Sequence, residues 1–205
     1  MSTASHSSPY VQRSSRGQSG TLRHRLLCLL LALLCLSGCG SPRVGSIADM
    51  RGYAGLSETG TQVYVVSDVK DFLGRLDRGE SFAAFFGFVG CPWCEDAVPL
   101  LTAEAERAGR TVCYINTRPN RRVTKNSEIP DYELLVARIG EHLGSDDNGE
   151  PYLYVPLVLF VKNGEIVLTH RGTAEGYDPS FMELPEELDA ELSEVYRQGF
   201  ALIQG

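Results

Sequence analysis

A chain of 205 residues, 43% hydrophobic and 22% charged, has material for one packed domain and an accessory segment but not for two full domains. Its formal charge is −7, and the basic residues Arg13, Arg16, Arg23 and Arg25 face no acid ahead of Cys39, so the remainder is more acidic than the total shows. That acidic body excludes a nucleic-acid platform, and six cysteines of which three fall at or before Cys39 exclude a disulfide-stapled mini-domain.

Residues 1–25 are rich in Ser, Gly and Arg and show no apolar period. Leu26–Leu36 is an uninterrupted apolar run of 11 residues, well short of the ~20 that span a bilayer as a helix. Basic residues, a short apolar core and then small residues form the pattern of a secretory signal. Leu36-Ser37-Gly38-Cys39 resembles the bacterial lipobox, which implies cleavage before Cys39, a diacylglycerol on its sulfur and residence on the extracytoplasmic face of the cell membrane. An ordinary signal peptide or an uncleaved anchor are the alternatives. Residues 1–38 are thus expected to be a lipoprotein signal. Residues 39–60, Gly- and Ser-rich without a sustained period, read as a flexible tether, and 61–205 as the folded domain.

Within that domain, Gln62–Val66 is a short β-branched strand. Ser67 can cap a helix that carries Val69, Phe72, Leu73 and Leu76 on one face. Ser81–Phe88 is almost continuously apolar, as a central strand covered on both faces requires. A helix follows from Cys91 to about Ala108, then a strand over Thr111–Asn116. The polar loop Thr117–Pro130 includes the basic run Arg118–Lys125, whose default reading is a solvated loop and whose alternatives are docking to an acidic partner or an anionic lipid surface. Asp131 can cap a helix with Leu135 and Ile139. Leu153–Val161 and Glu165–Arg171, joined at Asn163-Gly164, read as a β-hairpin, and Pro185 opens a last amphipathic helix. This order predicts an α/β three-layer sandwich, a mixed central sheet with helices on both faces.

The chemistry concentrates in Cys91-Pro92-Trp93-Cys94. A buried strand delivers Cys91 to the start of a helix, where unpaired N–H groups and the dipole favour a thiolate. Cys94 follows one turn on, within reach of a small disulfide, and Pro92 suits a first-turn position that needs no N–H. Cys91 is therefore expected to be the exposed nucleophile and Cys94 the buried resolving thiol.

These residues resemble the thioredoxin superfamily. Pro99 stands where thioredoxins carry a helix-kinking proline, and Val155-Pro156 followed by a strand and Asn163-Gly164 is similar to the segment around their cis-proline. The resemblance covers residues 61–203. It implies a thiol–disulfide oxidoreductase that needs no cofactor and acts monomerically on protein or peptide thiols and disulfides, with a membrane redox partner and no nucleic acid. It further implies a cis bond before Pro156 and main-chain contacts from Val155 to the substrate. The sequence departs from the family in places. Pro-Trp between the cysteines is nearer glutaredoxin's Pro-Tyr, and Phe85 replaces a buried Asp. Glu95 and Asp96 read as helix N-terminal acids, or alternatively as substitutes for that carboxyl. Extra length between Asn116 and Val155 loosely resembles bacteriocin transport accessory proteins of this fold.

A structural zinc site would need two further ligands beyond Cys91 and Cys94. Cys113, His142 and His170 are the remaining candidates, none at zinc-ligand spacing, so no metal is expected. The rival function from another class is a non-catalytic binding module that presents a groove near Trp93 and Pro156 to a transporter or cell-envelope partner.

Overall fold

Phe82–Gly87 is buried at every position, which fixes it in the middle of a sheet with apolar layers on both sides. The computed structural model describes residues 42–204 apart from Ser57, Thr59 and Arg121; the signal segment and Cys39 lie outside the described residues. In chain order the elements are β1 (Tyr64–Ser67), α1 (Val69–Asp77), β2 (Phe82–Gly87), α2 (Pro92–Ala108), β3 (Val112–Asn116), α3 (Tyr132–Ile139), β4 (Gly144–Ser145), β5 (Pro151–Tyr152), β6 (Leu157–Lys162), β7 (Glu165–Arg171) and α4 (Glu186–Leu202). The main sheet runs β1-β3-β2-β6-β7. Its first three strands are parallel, while β6 pairs antiparallel with both β2 and β7. This mixed five-strand sheet with four helices is a thioredoxin-like α/β fold.

Alternation along β2 divides the core. Ala83 and Phe85 join Val98 and Leu101 of α2 and Tyr196 and Phe200 of α4 on one face. Phe82, Ala84 and Phe86 meet Phe72 of α1 and Leu135 of α3 on the other. Helix α4 comes close to the sheet at Gly199, where a Cβ would lie 2.3 Å from the Phe160 ring. Asn163 and Gly164, both at positive φ, turn β6 into β7.

The caps differ from those expected. Asp68, not Ser67, caps α1 by accepting from Asp71 N at 2.8 Å, while the Ser67 hydroxyl donates to the Asp71 carboxylate at 2.8 Å. Asp131 precedes α3 at φ 62° with no side-chain cap bond; its carboxylate pairs with Lys70 of α1 at 3.1 Å instead.

The described part of the expected tether does not behave as one. Residues 45–48 run along β1, with Gly45 N donating to Val66 O, Val66 N to Ser46 O and Ala48 N to Tyr64 O. Met50 and Tyr53 are inserted to 1% and 0% exposure. A Gly-rich composition concealed four apolar anchors, Ala48, Met50, Tyr53 and Leu56, all buried against the α2 face of the sheet. The domain therefore begins by Ala48, upstream of residue 61.

Candidate active site

The site is assembled where β2 ends. Gly90 takes a positive φ of 85°, a conformation that costs a side-chain-bearing residue, and the chain bends into α2. Cys91 occupies the N-cap with extended backbone (φ −83°, ψ 114°) and Pro92 follows at the first helical position. Cys91 thus stands at the N-terminal end of α2, close to the N–H groups of Trp93 and Cys94. Pro99 lies inside the same helix, and the N-terminal segment packs on it so closely at Gly55 that a Cβ there would stand 2.4 Å from the ring.

Both thiols are free, and their environments drive them apart. The Cys91 pKa is lowered, first by the hydrogen bond from the Cys94 thiol and then by the N–H groups of Cys94 and Trp93 and the charge of Arg118, against the opposing effect of burial. The Cys94 pKa is raised far above the ordinary thiol range by the same hydrogen bond, which its thiol donates to Cys91, and by burial. Of the two, Cys91 ionises the more readily and Cys94 holds its proton.

Cys91 is only 4% exposed, which corrects the expectation of an exposed nucleophile. Its sulfur lies against the Val155 carbonyl at 3.9 Å and is reached through a groove of about 380 Å³. The Val155–Pro156 peptide is cis, and Val155 lines this groove together with Pro92 and Trp93. The opposite wall comes from the extra length between β3 and β6, through Lys125, Asn126, Tyr152 and Tyr154. Asn126 Nδ2 donates to Leu153 O at 2.9 Å and ties the two ends of that wall.

Glu95 and Asp96 act as clamps. Glu95 accepts from Ala54 N at 2.7 Å and from Gly90 N at 2.9 Å, joining the N-terminal segment to the bend before Cys91. Asp96 accepts from the Tyr177 hydroxyl at 2.7 Å. The Phe85 ring stacks on Tyr114 at 5.7 Å between centroids. A side chain at Gly87 would strike that ring at 2.5 Å and stand 3.1 Å from the Cys94 sulfur. The nearby hydroxyls of Tyr53 and Tyr114 bond to each other at 3.2 Å. Burial pushes the Tyr114 phenol up to about 12 and Tyr53 higher still, so both stay neutral.

Sequence reasoning missed Tyr53, whose only signal was an aromatic within a Gly-rich stretch. Cys113 belongs to the core on the other face of the sheet from the cysteine pair. His142 Nδ1 lies 3.0 Å from Thr169 Oγ1, and His170 Nε2 donates to Thr173 O at 2.8 Å.

No family model and no curated protein matches the chain. Solved structures do. One, described as a candidate oxidoreductase with a thioredoxin fold, is similar at 13% identity and a TM-score of 0.38 over 54% of this chain and 83% of its own. Thioredoxin O1 from Arabidopsis thaliana in its oxidized state is similar at 12% identity and a TM-score of 0.37, over 65% of this chain and 97% of its own.

Proposed function

We propose that this chain is a membrane-tethered, extracytoplasmic thiol–disulfide oxidoreductase acting through Cys91 and Cys94. The observation that carries the reading is the pairing of an acid-shifted sulfur at a helix N-terminus and at the foot of an open groove with a fully buried, proton-holding sulfur a turn away. The Cys91 thiolate attacks one sulfur of a substrate disulfide. A mixed disulfide forms, and the other substrate sulfur leaves as a thiolate that takes a proton. Cys94 then loses its proton and attacks the Cys91 sulfur, so the Cys91–Cys94 disulfide forms and the second substrate thiol is released. The substrate gains two electrons and the cysteine pair loses two; a dithiol donor restores the pair. The same steps reversed oxidise a substrate dithiol. In this reading Val155, which lines the groove ahead of its cis bond to Pro156, offers main-chain contact to the substrate. Export and lipid attachment at Cys39 are supported by the basic, apolar and small-residue order of residues 13–39.

The test is a redox titration of the full chain in detergent, followed through its single tryptophan, Trp93. One reversible two-electron transition is expected. A midpoint near −270 mV identifies a reductase and one near −120 mV a disulfide donor. Cys91→Ser should abolish exchange, and Cys94→Ser should accumulate the mixed disulfide. Full exchange by Cys91→Ser, or a pair that does not titrate, overturns the reading in favour of a binding module.

A further inference from the structure

The basic run Arg118–Lys125 finds its place at the cysteine pair. Arg118 and Lys125 both line the groove that leads to Cys91, and no Asp or Glu lines it. This is notable in a chain with 26 acidic against 19 basic residues, where a random stretch of surface would expose carboxylates. Among the described residues neither cation takes part in an ion pair within 4 Å, although the Lys125 charge also acts on the Glu128 carboxylate, which accepts from Lys125 N at 3.1 Å. The Arg118 guanidinium carbon lies over the Phe88 ring, 4.1 Å from its centroid, which holds its charge near Cys91 rather than leaving it to sweep through solvent. On the far wall Tyr152 and Tyr154 lie against each other at 4.7 Å between centroids, their planes tilted by 54°, and are 37% and 47% exposed, an aromatic surface next to the charge.

Resting on the exchange reading above, we infer that the groove selects peptide segments in which acidic residues flank the reacting cysteine. Carboxylates would meet Arg118 and Lys125 while neighbouring apolar side chains lie on the tyrosines. The acidic remainder of the surface repels such a segment everywhere else, so the groove is also where it is steered. A concave wall that shares its lining with the nucleophile favours a peptide over a lipid surface, for which cations would need to stand on a convex or flat face.

The experiment compares three short peptides, each closed by one internal disulfide, with Asp, Ser or Lys flanking the cysteines. Exchange with the reduced full chain is timed at low salt. The Asp peptide should react roughly tenfold faster than the Ser peptide, since each part-exposed charge pair contributes up to a few-fold, and the Lys peptide should be slowest. Raising the salt should compress the series. Lys125→Glu leaves one charge of each sign in the groove and should level the Asp and Lys peptides, as should the double variant Arg118→Ala, Lys125→Ala, whereas Arg118→Ala combined with Lys125→Glu should reverse their order. Rates are compared as ratios to the Ser peptide, which cancels the loss of Arg118 support for the Cys91 thiolate. No exchange with the Ser peptide defeats the exchange reading itself. Exchange with it but no preference among the three, or a preference that survives the double variant, defeats this inference alone. Should the three be equal while the full chain favours phosphatidylglycerol over phosphatidylcholine vesicles, the basic run serves a lipid surface instead.

Discussion

Two sulfurs a single helical turn apart acquire opposite acidities because one accepts what the other donates. Cys91 accepts hydrogen bonds from the Cys94 thiol and from the N–H groups of Cys94 and Trp93, whereas Cys94 donates to that sulfur and is fully buried at 0% exposure. Alkylation by iodoacetamide should therefore follow Cys91 alone. The reactive form is the deprotonated one, so the rate should rise with pH and level off above a midpoint below the ordinary thiol's ~8.5. Arg118→Ala should move that midpoint upward, because it removes a charge that favours the thiolate. Peptide mapping should find Cys94 and Cys113 unmodified until the protein is unfolded; burial raises the Cys113 thiol to about 11. A Cys94 that alkylates as fast as Cys91 would contradict the assigned roles. Much of this was legible from sequence, since C-x-x-C at a strand-to-helix bend dictates the order of the roles. The depth of Cys91 was not, because it depends on the Val155 carbonyl, 64 positions away in the chain.

The elements themselves follow from periodicity, and their misreadings are local. A helix start is a competition among neighbouring oxygens, and at α1 Asp68 won it while Ser67 turned to the Asp71 carboxylate. What periodicity does not convey is how near two elements come. Gly199 sits on the apolar side of α4, where a larger residue would be unremarkable by pattern, yet it is the Phe160 ring that fills the space a side chain would take. Gly199→Ala should gain helix propensity of ~1 kcal/mol and lose more than that to overpacking, typically 1–3 kcal/mol. The expected net result is a lower denaturation midpoint with an unchanged denaturant slope. A midpoint equal to or above the parent's would show that β6 and α4 separate without cost. The second wall of the groove illustrates the same blind spot: length between β3 and β6 was visible as an insertion, but not that it would fold back over the cysteines.

At the scale of the molecule, the segment before β1 decides where the domain starts. Its loss removes Met50 and Tyr53 from the core and leaves Phe85, Tyr64 and Tyr114 with open faces. Two fully buried side chains of that size are worth ~1.5–3 kcal/mol each, which together is comparable with the net stability of an ordinary domain. A chain beginning at residue 61 should therefore melt without a cooperative transition and be cleaved rapidly by proteases at temperatures where the parent resists them. An equal melting midpoint for the two would show that the segment merely rests on the surface. Composition misled here because Gly and Ser outnumber the four anchors, and no single element pattern links residues spaced as Ala48, Met50, Tyr53 and Leu56 are.

The same segment has a consequence for self-association. Sheets with two open edges can add copies indefinitely, each new molecule offering another edge to the next. In this domain residues 45–48 already occupy the hydrogen-bonding groups on the outer side of β1, whereas among the described residues no strand pairs with the outer side of β7. Edge-to-edge contact between copies through β7 joins like strand to like strand and so closes as a pair.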